Sequence, residues 1–144
     1  MLRLFIPIFL SFACGTSTSD IAAADPNQPI VSAEFSSQWA PSGKARVTPF
    51  ARGKEAFMAK LWLAPNAAVP EHQDPDEEYL YILSGRGTLS LNGVQHEIGP
   101  GHVIFMPANA TVSFKNGDEA LEAIQVFANP ESADKYAKWG DKPN

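Results

Sequence analysis

The sequence has a single cysteine, Cys14, which excludes an internal disulfide framework and any zinc site built on a thiolate cluster. Basic residues are also scarce. Eleven Lys and Arg stand against sixteen Asp and Glu, a formal net charge of -5, and a broad phosphate-binding surface is excluded with them, so nucleic acid is not an expected partner. The apolar run from Leu4 to Phe12 is about half the length a helix needs to cross a bilayer, which excludes it as a spanning anchor. No G-x-S-x-G element frames Ser84 or Ser90, and Gly85-Arg86-Gly87 lacks the strand-to-helix setting of a phosphate loop; hydrolase-triad and nucleotide-binding readings both fail. There is no internal repeat, which excludes a duplicated barrel. What is present, 44% hydrophobic residues in 144, suffices for one folded domain with a real core.

The N-terminus reads as an export signal: Arg3, the apolar run, then Ala13-Cys14-Gly15. Two processing sites are open. Leu10-Ser11-Phe12-Ala13-Cys14 is similar to a bacterial lipoprotein box, which would place a lipid on Cys14 and anchor the protein to a membrane; Ala22-Ala23-Ala24 before Asp25 suits ordinary secretion. The expected location is the bacterial periplasm, membrane-anchored or free, with release outside the cell as the second choice. The expected organisation is a leader and the start of a tether over 1–24, an arm with the first strand or strands over 25–54, a barrel over 55–128, and a C-terminal helix and tail over 129–144.

Between residues 55 and 128 short strands alternate with turn residues, the pattern of an all-β sandwich or barrel. Strands are predicted at Ala56 to Ala64, Tyr79 to Leu83, Thr88 to Leu91, Val94 to Ile98, Val103 to Met106, Thr111 to Phe114 and Leu121 to Phe127. Asn92-Gly93 supplies two residues tolerant of positive φ, as a two-residue hairpin turn demands. After Asn129, a capping residue followed by Pro130, the pairs Glu131/Lys135 and Asp134/Lys138 predict a short helix stopped at Gly140. Its Tyr136 and Trp139 share a face and are expected to cover an end or edge of the barrel. Trp62, Phe57, Phe105, Phe114 and Phe127 are read as core.

Chemistry concentrates in Glu71-His72-Gln73-Asp74-Pro75-Asp76-Glu77-Glu78. In an extended segment His72 and Asp74 point to the same side. Glu78 heads a row with Leu80 and Ile82, while Tyr79, Tyr81 and Leu83 take the opposite face. A carboxylate at the head of an inward apolar row needs a partner, because burying it alone is costly. His102 reads as a turn residue and His96 as part of an exposed ladder.

This stretch resembles the first motif of the cupin superfamily, in its small single-domain, type-2-like form: Asn66, five residues, His72-Gln73-Asp74, three residues, Glu78, six residues, Gly85. Asn66 replaces the motif's glycine and Asp74 its second histidine. The second motif is met at Gly101, Pro107, Asn109, Val112 and Asn116, with Asn109 for a glycine and Val112 for the metal-binding histidine. The resemblance implies an all-β, cupin-type jelly-roll barrel. It also implies a divalent metal, Mn, Fe or Zn, at His72, Asp74 and Glu78, and, from the habit of small cupins, a homodimer. Two functions follow: a barrel that holds a small molecule, or a metal-dependent isomerase, hydrolase or dioxygenase using those three residues. Without a metal, His72 and Glu78 would serve as an acid/base or ligand-orienting pair at the mouth of an apolar pocket.

Overall fold

The computed structural model describes residues 26–33 and 35–144. The leader and both processing sites lie outside the described residues. Among the described residues, ten strands form two antiparallel sheets. The larger runs β1 (Gln38–Trp39), β2 (Ala45–Arg52), β3 (Phe57–Leu63), β10 (Leu121–Phe127), β5 (Glu78–Ser84), β8 (Val103–Met106) in spatial order; the smaller runs β4 (Ala68–Gln73), β9 (Thr111–Asn116), β6 (Gly87–Leu91), β7 (Val94–Ile98). This is the expected all-β jelly roll.

The turns fall where their chemistry allows. Asn92 and Gly93 both take positive φ, 49° and 81°, and pin the β6–β7 register from Leu91↔Val94 to Gly87↔Ile98. The two asparagines that stand at motif glycines, Asn66 and Asn109, have φ of 58° and 62°. Asparagine is the residue that most readily replaces glycine in this region, so both substitutions preserve the backbone path. Gly85 admits no side chain: at φ +81° a Cβ would lie 2.5 Å from the Ala120 carbonyl oxygen.

Strand parity sorts the side chains. Along β5, Glu78 and Ile82 are buried and Leu80 half-buried, while Tyr79, Tyr81 and Leu83 are exposed. Along β10, Leu121, Ala123, Gln125 and Phe127 face in. One apolar cluster, with Leu63, Ile82, Leu89, Ile98 and Ile104 among its members, lines the barrel; a second joins Val47, Phe57, Ala59 and Phe127 to Ala133 and Tyr136. Phe105 departs from its expected core place, because its position on β8 is out of phase with the buried Ile104 and Met106 and turns it to the outer face.

The C-terminal helix spans Pro130–Lys138, with the Asn129 side chain accepting from the Glu131 N–H at 3.1 Å. It is a 3₁₀ helix. Three residues per turn put i,i+4 pairs out of line, so the expected pairs within the helix give way to bonds with the barrel. Asp134 meets Arg52 at 2.9 Å, Lys135 meets Asp74 at 2.8 Å, and the Ser132 hydroxyl donates to Asp76 at 2.7 Å. The helix is thereby tied across one end of the barrel.

Candidate functional site

Between the sheets lies a cavity of about 370 Å³. Its walls are aliphatic and aromatic, with Leu61, Leu80, Leu89, Ile98, Ile104 and Phe114 among them. The polar groups that reach it are His72 from β4, Glu78 from β5, Gln125 from β10, and Lys135 and Tyr136 from the helix; Trp139, just past the helix end, also lines it.

Glu78 opens β5, and only 8% of its surface is exposed. Gln125 Nε2 donates to Glu78 Oε1 at 2.6 Å, and the Tyr136 hydroxyl donates to Gln125 Oε1 at 2.8 Å. The amide therefore has a fixed sense: its oxygen is taken by the phenol and its nitrogen is aimed at the carboxyl. Glu78 Oε2 has no hydrogen-bond partner among the described residues, and Glu78 lines the cavity. Burial pushes the Glu78 carboxyl above the ordinary glutamate value of 4.5, with Asp74 adding to the rise; Gln125, Lys135 and His72 oppose it without cancelling it. Burial, with the nearby Glu78 charge, also raises the Tyr136 phenol, which stays protonated and keeps its role as donor.

Glu78 and His72 both line the cavity, as their places in the sequence suggest, but the expected metal set does not converge. Among the described residues no group of three His, Cys, Asp or Glu side chains is placed to hold a metal ion. Asp74 Oδ2 accepts from Lys135 Nζ at 2.8 Å and lies 3.8 Å from His72 Nε2. His72 Nδ1 is 2.9 Å from the Pro70 carbonyl oxygen. Opposite His72 in the β4–β9 register stands Val112, buried and without a donor, where a fourth ligand would be needed. A lysine on the aspartate and a valine opposite the histidine do not fit a divalent ion.

Gln125, Lys135 and Tyr136 were not expected in the site. Gln125 carried a readable signal, a lone amide in the inward row of β10. Lys135 carried none, since its partner Asp74 is 61 residues away. His102 is a turn residue as read, with Nδ1 2.8 Å from the Gly99 carbonyl, and His96 is exposed on β7.

Residues 61–127 match the family model described as the cupin domain. SchB of Streptomyces halstedii is 29% identical over 86 residues, covering 58% of this chain and 62% of SchB. An RmlC-like cupin of Shewanella frigidimarina superposes with a TM-score of 0.59 at 17% identity, over 66% of this chain and 82% of that one. The polyketide cyclase RemF of Streptomyces resistomycificus gives a TM-score of 0.60 at 20% identity, over 69% and 78%. At these identities the two solved structures establish the fold.

Proposed function

We propose that this protein is an exported, small-molecule-binding barrel of the cupin type, whose ligand fills the apolar cavity and presents one polar group to Glu78. The observation that carries the proposal is the carboxyl itself. One oxygen is fixed by Gln125, the other has no hydrogen-bond partner among the described residues, Glu78 lines a cavity of about 370 Å³, and burial raises its pKa. A neutral carboxyl donates to a carbonyl or ether oxygen and accepts from a hydroxyl, whereas the walls reward an otherwise apolar body. The cavity is large enough for a ligand of roughly drug-like size. A catalytic role for the same group is the second reading. A carboxyl whose pKa is raised by burial, beside a bound molecule, is a candidate for general acid–base chemistry. The shared fold with a polyketide cyclase accords with an organic substrate.

Elemental analysis of the chain, purified without chelator or affinity nickel, tests the metal-free character of the site. Wild type and His72→Ala are expected to carry equally little Mn, Fe or Zn; near-stoichiometric metal lost in His72→Ala would overturn the reading and restore the metal-dependent enzyme. Native mass spectrometry of the same samples reads the ligand, with a bound organic molecule expected on wild type and at least tenfold weaker retention in Glu78→Gln. Turnover lost in that variant while binding persists would select the acid–base reading.

Export rests on the Leu4 to Phe12 run and the two processing sites behind it. The mature N-terminal mass in a bacterial host checks it: a lipid-modified Cys14 or an N-terminus at Asp25 is expected, and an unprocessed cytoplasmic chain would refute export.

A further inference from the structure

Among the described residues the cavity is polar at one end only, and strand register shows which. On the larger sheet one inward row runs Phe57, Phe127, Glu78 and Met106, and the next runs Ala59, Gln125, Leu80 and Ile104. Beyond them come Leu61, Ala123 and Ile82, then Leu63 and Leu121, which bring no polar side chain to the cavity. On the smaller sheet His72 pairs with Val112, and the neighbouring row of Val69, Phe114 and Leu89 is again apolar. His72 stands at the helix end, 3.8 Å from the Asp74 oxygen that Lys135 holds. A ligand that fills this space carries its polar group at one terminus, under the C-terminal helix, and hydrocarbon over the rest.

The groups at that end select the terminus. Lys135 is the one ammonium among the described cavity residues, and it is already engaged: Nζ lies 2.8 Å from Asp74 Oδ2 and 4.5 Å from the centre of the Phe127 ring. A ligand carboxylate would compete with Asp74 for that charge and stand beside it as a like charge. A ligand ammonium would be set next to Lys135 and lose its hydration against apolar walls. A neutral terminus meets neither cost. The Tyr136 hydroxyl donates to Gln125, and the Gln125 amide to Glu78. His72 Nδ1 lies 2.9 Å from the Pro70 carbonyl oxygen, which can only accept, so Nδ1 carries the proton and the neutral ring leaves Nε2 as an acceptor. Neither this Nε2 nor Glu78 Oε2 has a hydrogen-bond partner among the described residues.

We infer that the ligand is a neutral alcohol or phenol, its hydroxyl seated between His72 and Glu78 and its hydrocarbon body in the apolar rows. The inference rests on the small-molecule-binding barrel proposed above and adds to it the chemical class of the ligand. A hydroxyl suits both unpartnered atoms. Its hydrogen goes to His72 Nε2 while its oxygen accepts from the Glu78 acid; to an ionised Glu78 the same hydrogen is donated instead, so the pairing survives either state of the carboxyl. An ether or a ketone accepts only and leaves the imidazole nitrogen unpaired. At about 30 Å³ for each water-sized group, a cavity of about 370 Å³ admits roughly a dozen non-hydrogen atoms, the size of a fused two-ring phenol.

Calorimetric titration of the full chain near neutral pH with 2-naphthol, 2-methoxynaphthalene, 2-naphthoate and 2-naphthylmethylammonium tests the class on wild type, independently of any variant. 2-Naphthol is expected to bind about tenfold or more tightly than each of the other three, because only it answers both unpartnered atoms without bringing a charge. His72→Leu should weaken 2-naphthol by about tenfold or more and leave 2-methoxynaphthalene unchanged, a split that a purely structural role for His72 would not produce. Equal binding of the phenol and its ether, or a preference for the carboxylate or the ammonium, would overturn the hydroxyl class while leaving the binding barrel in place. Equal losses of both probes in His72→Leu would likewise overturn it. Naphthalene separates the two levels: uptake as tight as that of 2-naphthol refutes the hydroxyl alone, whereas no uptake of either refutes the barrel and the inference together.

Discussion

Asp74 and Glu78 are two carboxylates four positions apart, and the fold treats them in opposite ways. Asp74 lies at the barrel rim, its oxygen taken by the Lys135 ammonium. Glu78 lies inside, its oxygen taken by a neutral amide, and burial raises its pKa. The one becomes a strut for the C-terminal helix, and the other a polar group offered to the cavity. Environment, rather than residue type, divides the roles.

The sharpest way to break this contrast is to remove what holds the inner carboxyl. Tyr136→Ala deletes a buried ring packed on Phe57 and Phe127, along with the hydroxyl that orients Gln125, and should cost about 3 to 5 kcal/mol in chemical denaturation. Tyr136→Phe keeps the ring and leaves the Gln125 oxygen unpaired, for a cost of about 1 to 3 kcal/mol. Equal losses in the two variants would show that the hydroxyl, and not the ring, carries the stability.

Glu78→Gln sharpens the contrast through pH. The folded protein binds the Glu78 proton more tightly than the unfolded chain does, so the stabilisation from this group is complete below 4.5 and is lost as pH rises through the raised value. Glutamine still accepts from Gln125 and does not titrate. Its melting temperature should match wild type near pH 4 and exceed it increasingly as pH climbs; parallel curves would refute the burial argument. Asp74→Asn is the smallest perturbation. It breaks a half-exposed ion pair with Lys135 and should cost under about 1 kcal/mol in the same denaturation measurement, while leaving the cavity-facing carboxyl in place.

Much of the barrel was legible because each signal was local. Alternation along β5 placed Glu78, Leu80 and Ile82 inward, and Asn92-Gly93 set a hairpin, each through backbone rules that act within a few residues. Other elements escaped for physical reasons. β4 reads Ala-Val-Pro-Glu-His-Gln and is mostly exposed at a sheet edge, so it lacks the apolar alternation that marks a strand. β2 carries Pro49 beside a register shift, which removes the usual signature. The spacing of His72, Asp74 and Glu78 suggested a metal set, but spacing could not show that a lysine on the C-terminal helix takes Asp74.

By itself, then, the sequence determined the jelly-roll frame, the inward carboxyl at Glu78 and the C-terminal helix, because strand parity, turn geometry and capping are set by neighbours in the chain. Tertiary structure alone decided the partners. Gln125 sits 47 residues from Glu78, and Lys135 sits 61 from Asp74. Whether a carboxylate meets an amide or an ammonium depends on which distant side chain the packed sheets deliver to it, and that choice sets its burial, its proton affinity and its chemistry.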